Sequence, residues 1–324
     1  MKKPFYLIPC LLLALFTANA FGADRYADTL CFRFATVQEA KQLIAMDDDF
    51  TRGWSEFDIV SRLHNTSGTK AELIAYKQNE VRAWTEEEKE VIRKDMIALN
   101  RIIRAEGYRL PLPQEIVLVK STLKDEGGAG GYTQANWIAL ADNLVKKSDE
   151  KGRQYLLLHE LSHILTRNSA AYKETLYAAL GFKIASKELE YPEELLKMRI
   201  SNPDIAAYDS YGPFTVKGRT EQCAMYLYAD RPYTGGEFFE YVKIAFVPYN
   251  EQLKAKRDEN GKLIVYDMAD IEDFAKRVGK NTKYIIHPEE ILAENFVLAF
   301  LNTPNVPTPD LKERVRQVLT APLQ

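Results

Sequence analysis

The segment Tyr155-Leu156-Leu157-Leu158-His159-Glu160-Leu161-Ser162-His163-Ile164-Leu165 constrains this chain more than any other stretch. Apolar residues flank its polar ones on nearly every side, so a helix here has to run through a core rather than along a surface. Residues four apart on a helix sit one above the other, which puts His159 and His163 on one face, where two imidazoles can bind one metal ion. Glu160 is offset by one residue and can reach a water on that metal without competing for the metal itself. Hydrolysis requires this division of labour, in which the metal polarises the carbonyl and acidifies the water and the carboxylate takes the proton. The plainer alternative is an accidental match on a surface helix. The apolar flanks and a chain with only four histidines weigh against it, and two histidines and a carboxylate in a buried helix require partners.

A catalytic zinc usually takes three protein ligands and leaves one position for water. The remaining histidines are His64 and His287. An extended metzincin spacing would continue with glycine at 166 and histidine at 169, where this chain has Thr166 and Ser169, so that subclass is excluded. The late apolar helix opened by His287-Pro288-Glu289-Glu290 carries Glu290 and Glu294 four residues apart on one face. Two carboxylates there call for something cationic opposite them. A zinc ion on Glu290, with Glu294 accepting the outer N–H of a ligand histidine, meets that need. The helix dipole alone would account for Glu289 and Glu290 in the first turn, but not for the deeper Glu294. His287 is the reserve ligand, although a polar residue opening a helix is its more ordinary reading.

The pair of elements His159-Glu160-x-x-His163 and Glu290-x-x-Ala293-Glu294 resembles the gluzincin metallopeptidases, with Glu294 where that group carries aspartate. The resemblance covers these two motifs and not the whole chain. It implies one Zn2+ per chain held by His159, His163 and Glu290, catalysis by Glu160, and orientation of a ligand histidine by Glu294. It also implies an α+β, zincin-like catalytic domain in which an antiparallel edge strand upstream of the metal-binding helix pairs with an extended substrate. Tyr132–Ala141 is similarly placed, which makes Ala135, Asn136 and Trp137 at its centre the candidate substrate-binding residues; a core strand with Trp137 packed inside is the equal alternative. Backbone pairing of this kind holds a peptide without reading its sequence. The donor that a tetrahedral intermediate needs should come from upstream of Glu294, with Tyr208, Tyr211, Tyr228 and Tyr284 all eligible.

Around this centre the chain divides into a leader (1–20), a helical N-terminal region (21–109) and a catalytic domain (110–324). Lys2 and Lys3, an apolar run and Ala18-Asn19-Ala20 have the layout of a cleaved secretory signal. The mature protein is therefore expected to be exported, periplasmic or secreted, with no stable membrane insertion. Losing the two lysines takes the formal net charge from −3 to −5, so no nucleic-acid partner is expected. Cys31 and Cys223 remain and could close one disulfide in an oxidising compartment, or stay as two thiols. Thr85 with Glu88 predicts a capped helix start, Glu115–Lys120 reads as a buried strand, and Thr308 with Pro309 predicts a final helix. The expected function is zinc-dependent hydrolysis of a peptide or protein substrate. Its rivals are a non-catalytic zinc-binding module and an amidase acting on a cell-wall crosslink. An inhibitory pro-segment with Cys31 capping the zinc, released by cleavage between Gly107 and Pro113, is a further option for the N-terminal region.

Overall fold

The computed structural model describes residues 30–322. The expected leader, and with it the expectation of export, lies outside the described residues. No helix among the described residues is long and apolar enough to cross a membrane.

Two four-stranded sheets and twelve α-helices make up the described chain. The first sheet has the order β1 (Phe32–Phe34), β2 (Ile116–Ser121), β4 (Trp137–Ala141) and β3 (Gly131–Gln134). Strands β1, β2 and β4 run parallel, and β3 closes one edge antiparallel to β4. Every residue of β2 is buried, as an apolar run in a sheet covered on both faces should be. The second sheet, β5 (Lys183–Ile184), β6 (Ser210–Val216), β7 (Arg219–Ala229) and β8 (Val242–Tyr249), is antiparallel throughout.

Helices α1 (Val37–Ile44), α2 (Asp49–Arg52), α3 (Glu56–Arg62), α4 (Lys70–Asn79) and α5 (Glu86–Glu106) precede β2. Helices α6 (Leu144–Lys147), α7 (Glu150–Asn168) and α8 (Ala170–Ala179) follow the first sheet. Later come α9 (Glu193–Leu196), α10 (Phe274–Val278), α11 (Pro288–Phe300) and α12 (Pro309–Thr320). Helix α5 starts at the Thr85/Glu88 capping box and stops at Gly107, whose φ of 66° costs glycine little. Thr308 precedes α12 but makes no cap; its hydroxyl accepts the Lys280 N–H at 2.9 Å instead.

The helical stretch before Gly107 is not a separate packing unit. It supplies β1 to the first sheet, and Ile92 and Leu99 of α5 share one core with Leu118, Leu158 and Phe296. From α3, Phe57 and Val60 join the core behind the second sheet with Tyr226 and Val247.

Two expectations are corrected. Tyr132–Ala141 is a hairpin, not one strand: Ala135, at φ 44°, and Asn136 form its exposed turn, so neither lies along the edge. Trp137 is buried on β4, edge-on to Tyr132, as in the core-strand alternative. Cys31 and Cys223 form no disulfide among the described residues. Cys31 is exposed just before β1 and Cys223 is buried in β7 of the other sheet, so the fold keeps the two thiols apart.

Candidate metal centre

Helix α7 begins at Asp149, whose carboxylate accepts the Gly152 N–H, and all residues from Leu157 to Thr166 are buried. It packs against α11, α5, α8 and β3, which explains the apolar flanks of His159 and His163. Helix α11 opens at His287, whose Nδ1 accepts the Glu289 N–H at 3.2 Å, with Pro288 in the first turn. His287 is thereby an N-cap, in edge contact with the Tyr208 ring, and burial pushes its pKa down to about 4.

The crossing of α7 and α11 brings His159, His163 and Glu290 together, with one donor atom from each lying within 4.8 Å of the others. His159 Nε2 is 3.1 Å and His163 Nε2 3.6 Å from Glu290 Oε2. A tetrahedral ion about 2.1 Å from each ligand would hold them about 3.4 Å apart, so the spacing fits zinc. His163 is fully buried, and its Nε2 has no hydrogen-bond partner among the described residues.

The outer nitrogens are fixed by carboxylates of α11. His159 Nδ1 donates to Glu294 Oε1 at 3.1 Å, and Glu294 also accepts from the hydroxyls of Tyr155 (2.8 Å) and Thr282 (3.0 Å). His163 Nδ1 donates to Glu289 Oε1 at 3.0 Å, and the hydroxyls of Thr166 and Tyr177 complete that carboxylate. These contacts orient each ring and turn its other nitrogen toward Glu290, as the outer partners of metal-binding histidines do.

Glu160 lies between α7 and the edge strand. Its Oε2 accepts the Thr133 hydroxyl at 2.8 Å, and a Cβ on Gly131 would stand 2.9 Å from its Oε1, so this close approach requires glycine. Burial pushes the Glu160 carboxyl up against the pull of the two imidazoles. Burial opposes charge on His159, yet Glu290 and Glu294 carry it up to about 10. Glu290 is held far below the usual carboxylate range by the same imidazoles despite its burial. Four buried carboxylates, Glu160, Asp204, Glu289 and Glu290, surround the two imidazoles; burial pushes Glu160 and Asp204 up, with Glu160 adding to the push on Asp204, a cost of ionisation that a divalent cation would lower.

Among the tyrosines considered, Tyr284 stands at this centre, its ring 6.2 Å from that of His159. Tyr208 is packed between Tyr191 and Tyr226, and Tyr211 and Tyr228 sit on β6 and β7. A cavity of about 340 Å³ opens beside Gly131, Asp204 and Tyr284, with Leu227, Phe238, Phe239, Val242 and Ile286 in its walls.

Sequence reasoning passed over Thr133, Asn202 and Asp204, and gave Glu289 no role beyond the helix dipole. Asn202 donates its side-chain amide to Glu290 Oε1, and Asp204 joins Glu160 and His163 in a second cluster within 4.8 Å. A doubled acid opening an apolar helix was the one available signal for Glu289. Comparisons with protein-family models, curated proteins and solved structures return no match for this chain.

Proposed function

We propose that this chain is an exported zinc-dependent hydrolase that cleaves peptide bonds, with His159, His163 and Glu290 as ligands of one zinc ion and Glu160 as general base. The carrying observation is His163 Nε2, a nitrogen on a fully buried side chain that has no hydrogen bond among the described residues and stands 3.6 Å from Glu290 Oε2 while Glu289 holds the opposite nitrogen. An orphaned polar atom of this kind is costly and calls for an occupant. Zinc bound there would polarise a carbonyl and acidify a water.

The chain's own groups supply the remaining chemistry. Glu160, steadied by Thr133 and made more basic by burial, would take the proton of the attacking water. Tyr284, whose ring lies 6.2 Å from that of His159, would donate its phenol hydrogen to the developing oxyanion. The adjoining cavity is lined by Leu227, Phe238, Phe239, Val242 and Ile286 together with Arg62, Glu126 and Asp204; its apolar part suits a peptide with a bulky apolar residue better than a polar cell-wall amide. His287, the candidate for a fourth ligand at a purely structural zinc, has its Nδ1 engaged as the cap of α11 and does not cluster with His159, His163 and Glu290.

The deciding experiment measures zinc per chain and cleavage of a mixed peptide library by the leader-free wild type, His163→Ala and Glu160→Gln. One zinc per chain is expected for wild type and Glu160→Gln, with cleavage by the wild type alone. No zinc in the wild type would overturn the metal reading. Zinc without cleavage of any peptide would overturn the hydrolase reading.

A further inference from the structure

Between α9 and β6 the chain reads Ile200-Ser201-Asn202-Pro203-Asp204. An asparagine before a proline opens turns, and its side chain readily accepts the N–H two residues on. Asn202 Oδ1 does so, accepting the Asp204 N–H at 2.8 Å. With its oxygen engaged, the side chain has its amide nitrogen left to offer, and that nitrogen donates to Glu290 Oε1. The two bonds together fix which end of the amide faces the candidate metal centre.

The residues on either side hold Asn202 in place. Asp58 of α3 accepts the Ser201 N–H and the Ser201 hydroxyl, each at 2.8 Å, and Arg62 donates to the Ser201 carbonyl at 2.6 Å. On the other side the Pro203 carbonyl accepts the Gln134 side-chain amide at 2.6 Å and a hydrogen bond from Arg167. Asn202 is half-buried and lines the cavity beside Gly131 and Tyr284, whereas Glu290 is fully buried.

Glu290 therefore has two unlike oxygens. Its Oε2 lies 3.1 Å from His159 Nε2 and 3.6 Å from His163 Nε2, while its Oε1 is taken by Asn202. A carboxylate with both oxygens free can bind a cation through one or both. A catalytic zinc takes three protein ligands and keeps a position for water, and a second oxygen from the same carboxylate would crowd that position. The amide of Asn202 works against this, because a charge-assisted hydrogen bond is lost if Oε1 turns to the ion.

We propose that Asn202 is a positioning residue that limits Glu290 to one oxygen on the ion and so keeps a coordination position open for water. This rests on the zinc hydrolase reading and deepens it. The sign of its effect separates Asn202 from Glu289 and Glu294. Those carboxylates accept the outer N–H of a histidine and make it a stronger ligand. Asn202 donates to a ligand carboxylate and makes it less basic. Loss of Asn202 therefore strengthens Glu290 as a ligand and frees its second oxygen, whereas loss of either glutamate weakens the histidine that it holds.

The test uses the leader-free chain as wild type, Asn202→Ala and Asn202→Leu, the last filling the volume of the amide without a donor. Zinc affinity is read by chelator competition. Coordination is read from the visible spectrum of the cobalt-substituted proteins, whose bands weaken when a four-coordinate ion becomes five-coordinate. Both variants are expected to hold zinc at least as tightly as the wild type, with cobalt bands that lose intensity. Glu289→Gln, run beside them, is expected to lose about 10- to 100-fold in zinc affinity. A merely structural role for Asn202 would loosen the centre, so a lower zinc affinity in the variants, or a cobalt spectrum like that of the wild type, would overturn the proposal. Zinc absent from the wild type itself would overturn the metal reading and this proposal with it. The expected affinities and spectra with no peptide cleaved by the wild type would leave the positioning role standing and remove the hydrolase reading.

Discussion

Glu289→Gln isolates the contribution of one buried carboxylate to a ligand that it does not replace. Glu289 is 4 % exposed; its Oε1 accepts His163 Nδ1 at 3.0 Å and the Thr166 hydroxyl at 2.6 Å, and its Oε2 accepts the Tyr177 hydroxyl. Glutamine keeps the volume but removes the charge, and its amide nitrogen cannot accept from the donors that face one of those oxygens. Imidazole N–H donation to a carboxylate raises the basicity of the opposite nitrogen, and loss of such a partner lowers metal affinity about 10- to 100-fold. That is about 1.4 to 2.7 kcal/mol. The expected result is zinc affinity reduced within that range in a chain with native circular dichroism, read by chelator competition. Glu294→Gln, which removes the corresponding partner of His159, should behave alike. Zinc affinity unchanged in Glu289→Gln would refute the assignment of His163 Nε2 as the metal-binding nitrogen.

Gly131→Ala would place a Cβ 2.9 Å from Glu160 Oε1 and 3.1 Å from the Ala139 carbonyl; displacement of the base should lower kcat by up to about 100-fold with zinc content unchanged, and full activity would show that Glu160 is not held there in turnover. His159, carried up to about 10, is protonated at pH 7 in the metal-free protein, whereas zinc binds the neutral ring. Each proton displaced then makes zinc affinity rise about tenfold per pH unit below that pKa, so chelator competition at pH 6, 7 and 8 should show an increase; a flat profile would count against the cluster. In the folded, leader-free chain, a thiol reagent should modify exposed Cys31 quickly and reach Cys223 only on unfolding, since Cys223 is buried and its thiol is pushed up to about 12; two unreactive thiols in the native state would contradict the arrangement of the sheets.

How much of this was legible follows from how local each signal is. Helices α5 and α7 and strand β2 carry their own caps, periods and apolar runs, and they appear within a few residues of where the pattern puts them. The pairing of Glu290 with His159 and His163 could be read because both motifs repeat at four-residue spacing on helices. Strand β1 could not: three residues, Phe32–Phe34, become a strand only because β2, 82 or more residues later, offers a parallel partner. The hairpin was hidden because its turn uses Ala135 at positive φ, where a glycine or asparagine would have announced it. Thr133, Asn202 and Asp204 owe their places to tertiary hydrogen bonds with residues 27 or more positions away, which no period in the chain encodes.

The same tertiary ties decide what the N-terminal region is for. Arg62 and Lys77, both buried, neutralise Asp58, Asp125 and Glu126 through contacts of 2.5 to 3.1 Å. Asp125 and Glu126 belong to the turn that leads from β2 to β3, so these cations set the course of the chain toward Gly131 and Thr133. Removing one partner of a buried ion pair costs about 3 to 5 kcal/mol because the other charge is left unsatisfied. Cleavage between Gly107 and Pro113 followed by loss of the upstream fragment would strand Asp125 and Glu126, remove β1 from the first sheet and release Ser201 from Asp58. A detachable pro-segment would leave the remaining core intact, and this region does not. Cys31, exposed before β1 and outside the metal cluster, gives it no cap on the ion either. The N-terminal helices therefore bear on the candidate centre through the position of β3 and the anchoring of Ser201 by Asp58 and Arg62.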